Sequence, residues 1–189
     1  MDRNQISDWI RTLPNKLTIG RMCVIPILIL LYPLDIQFLR FFCAFLFFLA
    51  ALTDFFDGYL ARKYNIETKI GALLDPIADK ILVTASIVLL TNGGDMPAWM
   101  AALLLCREVA ISGLRLAASE QKKNIEVNQL GKVKTFTQDS AICFLMIGTE
   151  SFHTFGMICA WLALIFSYYS AYQYWNVFWE DSNSALTEK

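Results

Sequence analysis

Long apolar runs alternate with short polar connections along most of this chain. A helix rises about 1.5 Å per residue, so apolar runs of this kind can cross the roughly 30 Å hydrocarbon core of a bilayer. In lipid, a helix also satisfies its backbone hydrogen bonds within its own segment. The pattern therefore predicts six transmembrane helices, over residues 17–34, 38–53, 72–91, 98–118, 135–149 and 155–174.

The N-terminal segment shows a different periodicity. Apolar side chains recur there at i, i+3, i+4 and i+7, at Ile6, Trp9, Ile10 and Leu13. Such a stripe, with charged residues elsewhere, is typical of an amphipathic helix that lies in the lipid headgroup plane. We therefore expect an N-terminal interfacial amphipathic helix at 1–14, a six-helix transmembrane domain at 15–178 and a polar tail at 179–189.

The composition agrees with a membrane protein. Of the 189 residues, 56% are hydrophobic, and the mean hydropathy is +0.45, which is too apolar for an ordinary soluble domain. The net charge of −1 argues neither for nor against a nucleic-acid partner. The expected fold class is an all-α membrane protein, with membrane lipid and no nucleic acid among its partners.

Basic residues are divided unevenly between the two sides of this predicted topology. They gather in the N-terminal segment and in the connections after the second and fourth helices, whereas the opposite connections carry only Arg40. Short connections rich in Lys and Arg stay in the cytoplasm. The asymmetry predicts an integral membrane protein whose N-terminus faces the cytoplasm.

Four carboxylates lie at the predicted cytoplasmic ends of the second and third helices: Asp54, Asp57, Asp75 and Asp79. On a helix the first two share one face, and the last two share another. An uncompensated Asp deep in a membrane costs about 2.5–3.5 kcal/mol on insertion scales, so cations should neutralise the group. Two such faces can meet around two divalent ions, Mg²⁺ or Mn²⁺, with Asp57 and Asp75 as bridging candidates. A two-metal carboxylate site suits phosphoryl transfer.

The carboxylates belong to a longer pattern, D-x2-D-G-x2-A-R-x8-G-x3-D-x3-D, which runs from Asp54 to Asp79. This pattern resembles the signature of the CDP-alcohol phosphatidyltransferases at all eight fixed positions. The resemblance implies a six-helix homodimer that displaces CMP from a CDP-linked lipid by means of an alcohol, with its site open to the cytoplasm.

The resemblance also implies roles for the matching residues. Asp54, Asp57 and Asp75 would bind metal, and Asp79 would both bind metal and take the proton of the acceptor alcohol. The nucleotide and diphosphate would contact Gly58, Ala61, Arg62 and Gly71. Small side chains leave room for close packing or for a nucleotide, and a guanidinium can bind a diphosphate bidentately.

Three further patches, within 14–21, 107–115 and 131–135, resemble one branch of this family. In that branch the donor is CDP-diacylglycerol and the acceptor is sn-glycerol 3-phosphate. The resemblance implies that Asn15 and Thr18 border the nucleotide. It also implies that basic residues hold the acceptor phosphate, and that the protein lies in a bacterial inner (cytoplasmic) membrane.

The basic residues support an anion site on their own account. Arg107 lies inside an apolar run, where a charge needs a partner, and Glu108 beside it could supply one. Arg115 follows two turns later, within about 80° around the same helix. Lys132 and Lys134 come from the next helix, where the rule that keeps positive charge in the cytoplasm could also explain them. We expect the acceptor phosphate to bind Arg107, Arg115, Lys132 and Lys134.

Two other interpretations remain open. Within the family, the acceptor could be serine, an inositol phosphate or phosphatidylglycerol, but an acceptor without a phosphate would leave Arg107 and Arg115 without an evident role. In another class, intramembrane carboxylates also mark cation transporters. Against transport, the carboxylates gather at one membrane face.

Overall fold

The computed structural model describes the backbone of residues 19–64, 69–120 and 129–187. Within these ranges it describes the side chains of 19–53, 77–118, 131 and 133–176. This part of the chain is helical and contains no strand. The all-α class is therefore confirmed for the described ranges, whereas the predicted interfacial helix at 1–14 lies outside them.

The helices follow the apolar runs of the sequence. Helix α1 covers residues 19–31 from the first described residue, and the short 3₁₀ turn Tyr32–Leu34 follows it. The other helices are α2 (Gln37–Tyr64), α3 (Lys69–Asn92), α4 (Ala98–Glu120), α5 (Gln129–Ile147) and α6 (Glu150–Thr187).

Most helices extend beyond the runs that predicted them. Helix α2 continues from its apolar part through Asp54 and Asp57, and α5 begins already at Gln129. Helix α6 runs through most of the predicted polar tail, as far as Thr187. A helix ends where its backbone hydrogen bonds end, so polar residues at the end of an apolar run do not stop it.

Helix α5 forms the centre of the fold, where it packs against α2, α3 and α6. Its fully buried residues Ile142, Leu145 and Met146 share the core with Phe47 of α2. The hairpin between α5 and α6 is especially close. A Cβ at Gly156 would lie 2.8 Å from the Leu145 side chain, so only glycine allows this approach.

The outer surface of the helices is unusually apolar. Large side chains such as Phe38, Leu30, Val109 and Phe136 are exposed, as are many others. Among the described residues, one helix is long and apolar enough to cross a membrane, Glu150–Asn176, with a mean hydropathy of 1.4. Two shorter apolar helices are Ile19–Leu34 and Gln37–Thr53. An extended apolar surface is a property of interfaces with lipid or protein, but the number of spans stays a prediction.

Candidate active site

A cavity of about 640 Å³ opens between α3, α4 and α5. Four of the predicted catalytic and binding residues line it, although they come from three helices: Asp79 of α3, Arg107 and Arg115 of α4, and Lys134 of α5. Lys134 is close enough to interact electrostatically with Arg107 and Asp79. The fold thus brings one signature carboxylate to the predicted basic cluster.

The cavity lining carries both signs of charge. The basic side chains are Lys80, Arg107, Arg115 and Lys134, and the acidic ones are Asp79, Glu108 and Asp139. A ligand here meets four basic and three acidic groups within a largely apolar wall. The basic side chains can attract a small anion, while the carboxylates can receive a cation or a proton.

Glu108 connects the two most buried cations of the cavity. Its Oε1 accepts a hydrogen bond from Nη1 of Arg107 at 3.3 Å and forms an ion pair with Nζ of Lys134. The expected partner of Arg107 is therefore present, and it has a second role that the sequence did not reveal. Two cations share one carboxylate, so this group of three side chains carries a net positive charge.

Both arginines of the cavity donate hydrogen bonds to helix α6. Nε of Arg107 donates to the carbonyl of Ser167 at 3.0 Å. Nη2 of Arg115 donates to the hydroxyl of Tyr174 at 2.9 Å, and its guanidinium lies 5.0 Å from the centre of that ring. Both guanidiniums keep further N–H donors, so these contacts orient them without exhausting them. Sequence reasoning missed Tyr174, which lies 59 residues from Arg115.

A further link joins α3 to α4 at the cavity wall. Nζ of Lys80 donates to the hydroxyl of Ser112, which donates to the carbonyl of Glu108 at 2.6 Å. Lys80 follows Asp79 directly, so this contact also holds the helical turn that carries the candidate base. The sequence gives no signal for it beyond the polar character of both residues.

The remaining predicted site residues lie outside the described side chains. They are Asp54, Asp57, Gly58, Ala61, Arg62, Gly71, Asp75 and Lys132, and Asn15 and Thr18 lie outside the described backbone as well. The backbone is helical over 54–64 and 69–79, which is the condition for the paired carboxylate faces. The described side chains contain no cluster of three potential metal ligands. Three of the four predicted metal ligands, Asp54, Asp57 and Asp75, are not among the described side chains. The donor that is described, Asp79, is an oxygen ligand of the kind that Mg²⁺ and Mn²⁺ prefer.

Comparison with known proteins defines the class. The family model for CDP-alcohol phosphatidyltransferase matches residues 11–169. The chain therefore belongs to the CDP-alcohol phosphatidyltransferase family, as its signature indicated.

Three curated relatives of this chain share one name, CDP-diacylglycerol–glycerol-3-phosphate 3-phosphatidyltransferase. The protein from Rickettsia bellii is 41% identical over 167 residues, which cover 86% of this chain and 92% of the relative. The protein from Bacillus subtilis is 37% identical over 184 residues, covering 89% and 95%. A protein from Yersinia pestis is 34% identical over 176 residues, covering 89% and 96%.

Proposed function

We propose that this protein is a phosphatidylglycerophosphate synthase. It transfers the phosphatidyl group of CDP-diacylglycerol to sn-glycerol 3-phosphate and releases CMP and phosphatidylglycerophosphate. Membership of the family supports the transfer, and the names of the curated relatives support both substrates. This reaction belongs to phospholipid biosynthesis and leads to phosphatidylglycerol.

The observation that carries the proposal is the meeting of Asp79 with Arg107, Arg115 and Lys134 around one cavity. An acceptor with a hydroxyl at one end and a phosphate at the other matches this arrangement. Charge-assisted hydrogen bonds from guanidinium and ammonium groups are among the strongest that a phosphate can receive. Serine has no phosphate, and its single carboxylate would satisfy fewer of these cations than a dianionic phosphate does.

The chemical step is a displacement at phosphorus. The primary hydroxyl of the acceptor forms a bond to the phosphorus that carries diacylglycerol, and the bond from that phosphorus to the oxygen of CMP breaks. Asp79 takes the proton that the hydroxyl loses. Arg107, Arg115 and Lys134 hold the acceptor phosphate, so that the hydroxyl is positioned rather than free.

Metal ions complete the proposed site. Asp54, Asp57, Asp75 and Asp79 would hold two ions of Mg²⁺ or Mn²⁺. When bound, such ions neutralise phosphate oxygens and make an attacking hydroxyl more acidic. Arg62 would bind the donor diphosphate, and the nucleotide would lie against Asn15, Thr18, Gly58, Ala61 and Gly71.

The proposal also covers the membrane location and the oligomeric state of the enzyme. Six transmembrane helices and an interfacial N-terminal helix would place the cavity at the cytoplasmic side of a bacterial inner membrane, in a homodimer. The apolar outer surface of the described helices and the long apolar segment Glu150–Asn176 support a lipid environment. A lipid environment also suits a donor with two acyl chains.

One assay tests the proposal. Purified protein in lipid nanodiscs receives CDP-diacylglycerol, Mg²⁺ and one acceptor at a time: glycerol 3-phosphate, serine, an inositol phosphate or phosphatidylglycerol. We expect CMP release with glycerol 3-phosphate and formation of phosphatidylglycerophosphate. CMP release with another acceptor alone would leave the family intact and refute the branch. Cation flux in liposomes without CMP release would favour the transporter instead.

A further inference from the structure

Gln138 is a buried polar residue of the cavity to which the proposed reaction gives no role. It lies on α5 and is only 3% exposed, yet it lines the cavity. Its Oε1 has no hydrogen-bond partner within the described part of the chain. Buried polar atoms are almost always hydrogen-bonded, so an unpaired amide oxygen at a cavity wall indicates a missing partner.

The cavity distinguishes Gln138 from other buried polar atoms. Hydroxyls of Ser86, Ser167 and Ser170 are also buried without a partner among the described residues. None of these serines lines the cavity, whereas Gln138 does. The partner that Gln138 lacks can therefore be a ligand in the cavity, which is not available to the serines.

The position of Gln138 indicates which part of the ligand it meets. Gln138 and Lys134 are i+4 and i on α5, so they share a face and lie about 6 Å apart along the helix axis. An acceptor whose phosphate binds Lys134 and which extends along α5 toward Gln138 would bring the atoms next to its phosphate within reach of the amide. In glycerol 3-phosphate those atoms include the carbon that carries the secondary hydroxyl.

The chemistry of the amide agrees with this position. A carboxamide is neutral, so it offers little to a phosphate that already has cations. It carries both an acceptor and donors, and a hydroxyl also both donates and accepts. The unpaired Oε1 can accept a hydrogen bond from such a hydroxyl.

We propose that the amide of Gln138 binds the secondary hydroxyl of the acceptor and thereby selects glycerol 3-phosphate over phosphates that lack this hydroxyl. This assignment rests on the proposed function. It makes Gln138 a specificity-determining residue, distinct from the cations that hold the phosphate and from Asp79. A site with a buried hydrogen-bonding group rejects an analogue that cannot pair with it, since the group is then left unsatisfied.

The test compares two acceptors that differ only in this hydroxyl. They are glycerol 3-phosphate and 3-hydroxypropyl phosphate, which keeps the phosphate and the primary hydroxyl. In the wild-type protein we expect kcat/KM to be about 10- to 100-fold higher for glycerol 3-phosphate. Gln138→Met, which keeps the shape of the side chain without the amide, should bring the two values within about threefold, mainly through loss of activity with glycerol 3-phosphate.

Two further variants make the result specific. Gln138→Asn keeps a shorter amide and should retain part of the preference. Gln37→Leu removes a glutamine from the opposite end of the protein, where Nε2 donates to the carbonyl of Ile147 at 2.8 Å. It should leave the ratio between the two acceptors unchanged even if the protein becomes less stable.

The outcomes separate this inference from the proposed function. If the wild-type protein releases no CMP with glycerol 3-phosphate, the proposed function fails. If it does so equally well with 3-hydroxypropyl phosphate, the function stands and the inference fails. Equal loss with both acceptors in Gln138→Met and Gln138→Asn would make Gln138 a packing residue. A raised KM for CDP-diacylglycerol alone would assign the amide to the donor, and either result would overturn the inference.

Discussion

The guanidinium of Arg40 lies 2.6 Å from the carboxylate of Asp95, although 55 residues separate them in the chain. Both side chains are nearly buried, with 11% and 12% exposed. Arg40 also donates to Asp35 at 2.9 Å and to the hydroxyl of Tyr32 at 3.2 Å, and it contacts the carbonyls at the end of α5. One side chain thus joins α2 to the turn after α1, the α3–α4 connection and α5, at the end of the bundle opposite the start of α5.

Arg40→Leu should strongly destabilise the protein. The substitution leaves Asp95 buried without its cation, and breaking a buried ion pair in this way costs about 3–5 kcal/mol. The thermal midpoint in detergent should fall, while the KM values of the folded enzyme stay close to those of the wild type. Asp35→Asn is the matched control, because Asp35 is 77% exposed and its pair should contribute less than about 1 kcal/mol.

The double variant Arg40→Leu with Asp95→Asn refines this prediction. Since it removes both charges, it should recover part of the stability lost in Arg40→Leu. No recovery would indicate that the contacts of Arg40 with Tyr32 and the carbonyls matter more than its pairing with Asp95.

Gly148→Ala should destabilise the same end of the protein by a different route. Gly148 has a φ of +71°, and an added Cβ would clash with the guanidinium of Arg40. Gly94 provides the control, since its φ is +81° but nothing lies within 4 Å of its added Cβ. Gly94→Ala should therefore reduce the stability only by the strain of an alanine at a left-handed φ, about 1–2 kcal/mol. A thermal midpoint for Gly148→Ala that matches that of Gly94→Ala would refute the close approach to Arg40.

The predicted topology can be tested by labelling of single cysteines with a membrane-impermeant reagent in intact cells. Cys23 and Cys106 are exposed, so the five native cysteines must first be replaced. Asn92→Cys, at the end of α3, should react from outside. Ile66→Cys, in the predicted cytoplasmic connection, should react only after the membrane is opened. Reaction of both positions in intact cells would contradict the six-span topology.

The sequence predicted well what depends on local periodicity. Apolar runs located α3 and α4 closely, since burial in lipid or protein requires long stretches of the same character. The start of α5, predicted at residue 135, was wrong because the polar residues Gln129 and Lys134 lower the hydropathy of this end of a helix that nevertheless begins at Gln129. Hydropathy cannot reveal such a helix end.

Contacts between distant residues were mostly beyond the sequence. Arg40 stood out only as an isolated charge, because its partner Asp95 is chosen by the packing of α2 against other segments. The pairing of Arg107 with its neighbour Glu108 could be predicted, whereas the second cation on Glu108, Lys134, could not. Tyr174 behind Arg115 was missed for the same reason.

The basic cluster should determine affinity for the acceptor. Arg107→Ala or Arg115→Ala removes hydrogen bonds to a charged group, which contribute about 1.5–3 kcal/mol, so KM for glycerol 3-phosphate should rise roughly 10- to 100-fold. KM for CDP-diacylglycerol should change much less. Steady-state CMP release with each substrate varied in turn measures both constants. Equal increases in both KM values would contradict an acceptor-specific role.

Tyr174→Phe isolates the support that α6 gives to Arg115. It keeps the ring beneath the guanidinium but removes the hydroxyl that accepts its hydrogen bond. We expect KM for glycerol 3-phosphate to rise about 3- to 10-fold, less than for loss of the arginine itself. Tyr172→Phe is the control, because Tyr172 lies on the same helix and is exposed.

Activity should depend on divalent ions and on all four signature carboxylates. EDTA should abolish CMP release, and Mg²⁺ or Mn²⁺ should restore it, whereas full activity in EDTA would refute the metal site. Asp57→Asn and Asp75→Asn should each reduce kcat/KM by at least about 10³-fold, because a metal that stabilises transition-state charge contributes several kcal/mol. Asp79→Asn should abolish turnover yet still bind CDP-diacylglycerol, as expected for a residue whose main role is to accept the acceptor's proton. If this variant instead loses donor binding, measured with the labelled nucleotide lipid in nanodiscs, Asp79 serves chiefly as a metal ligand and another group accepts the proton.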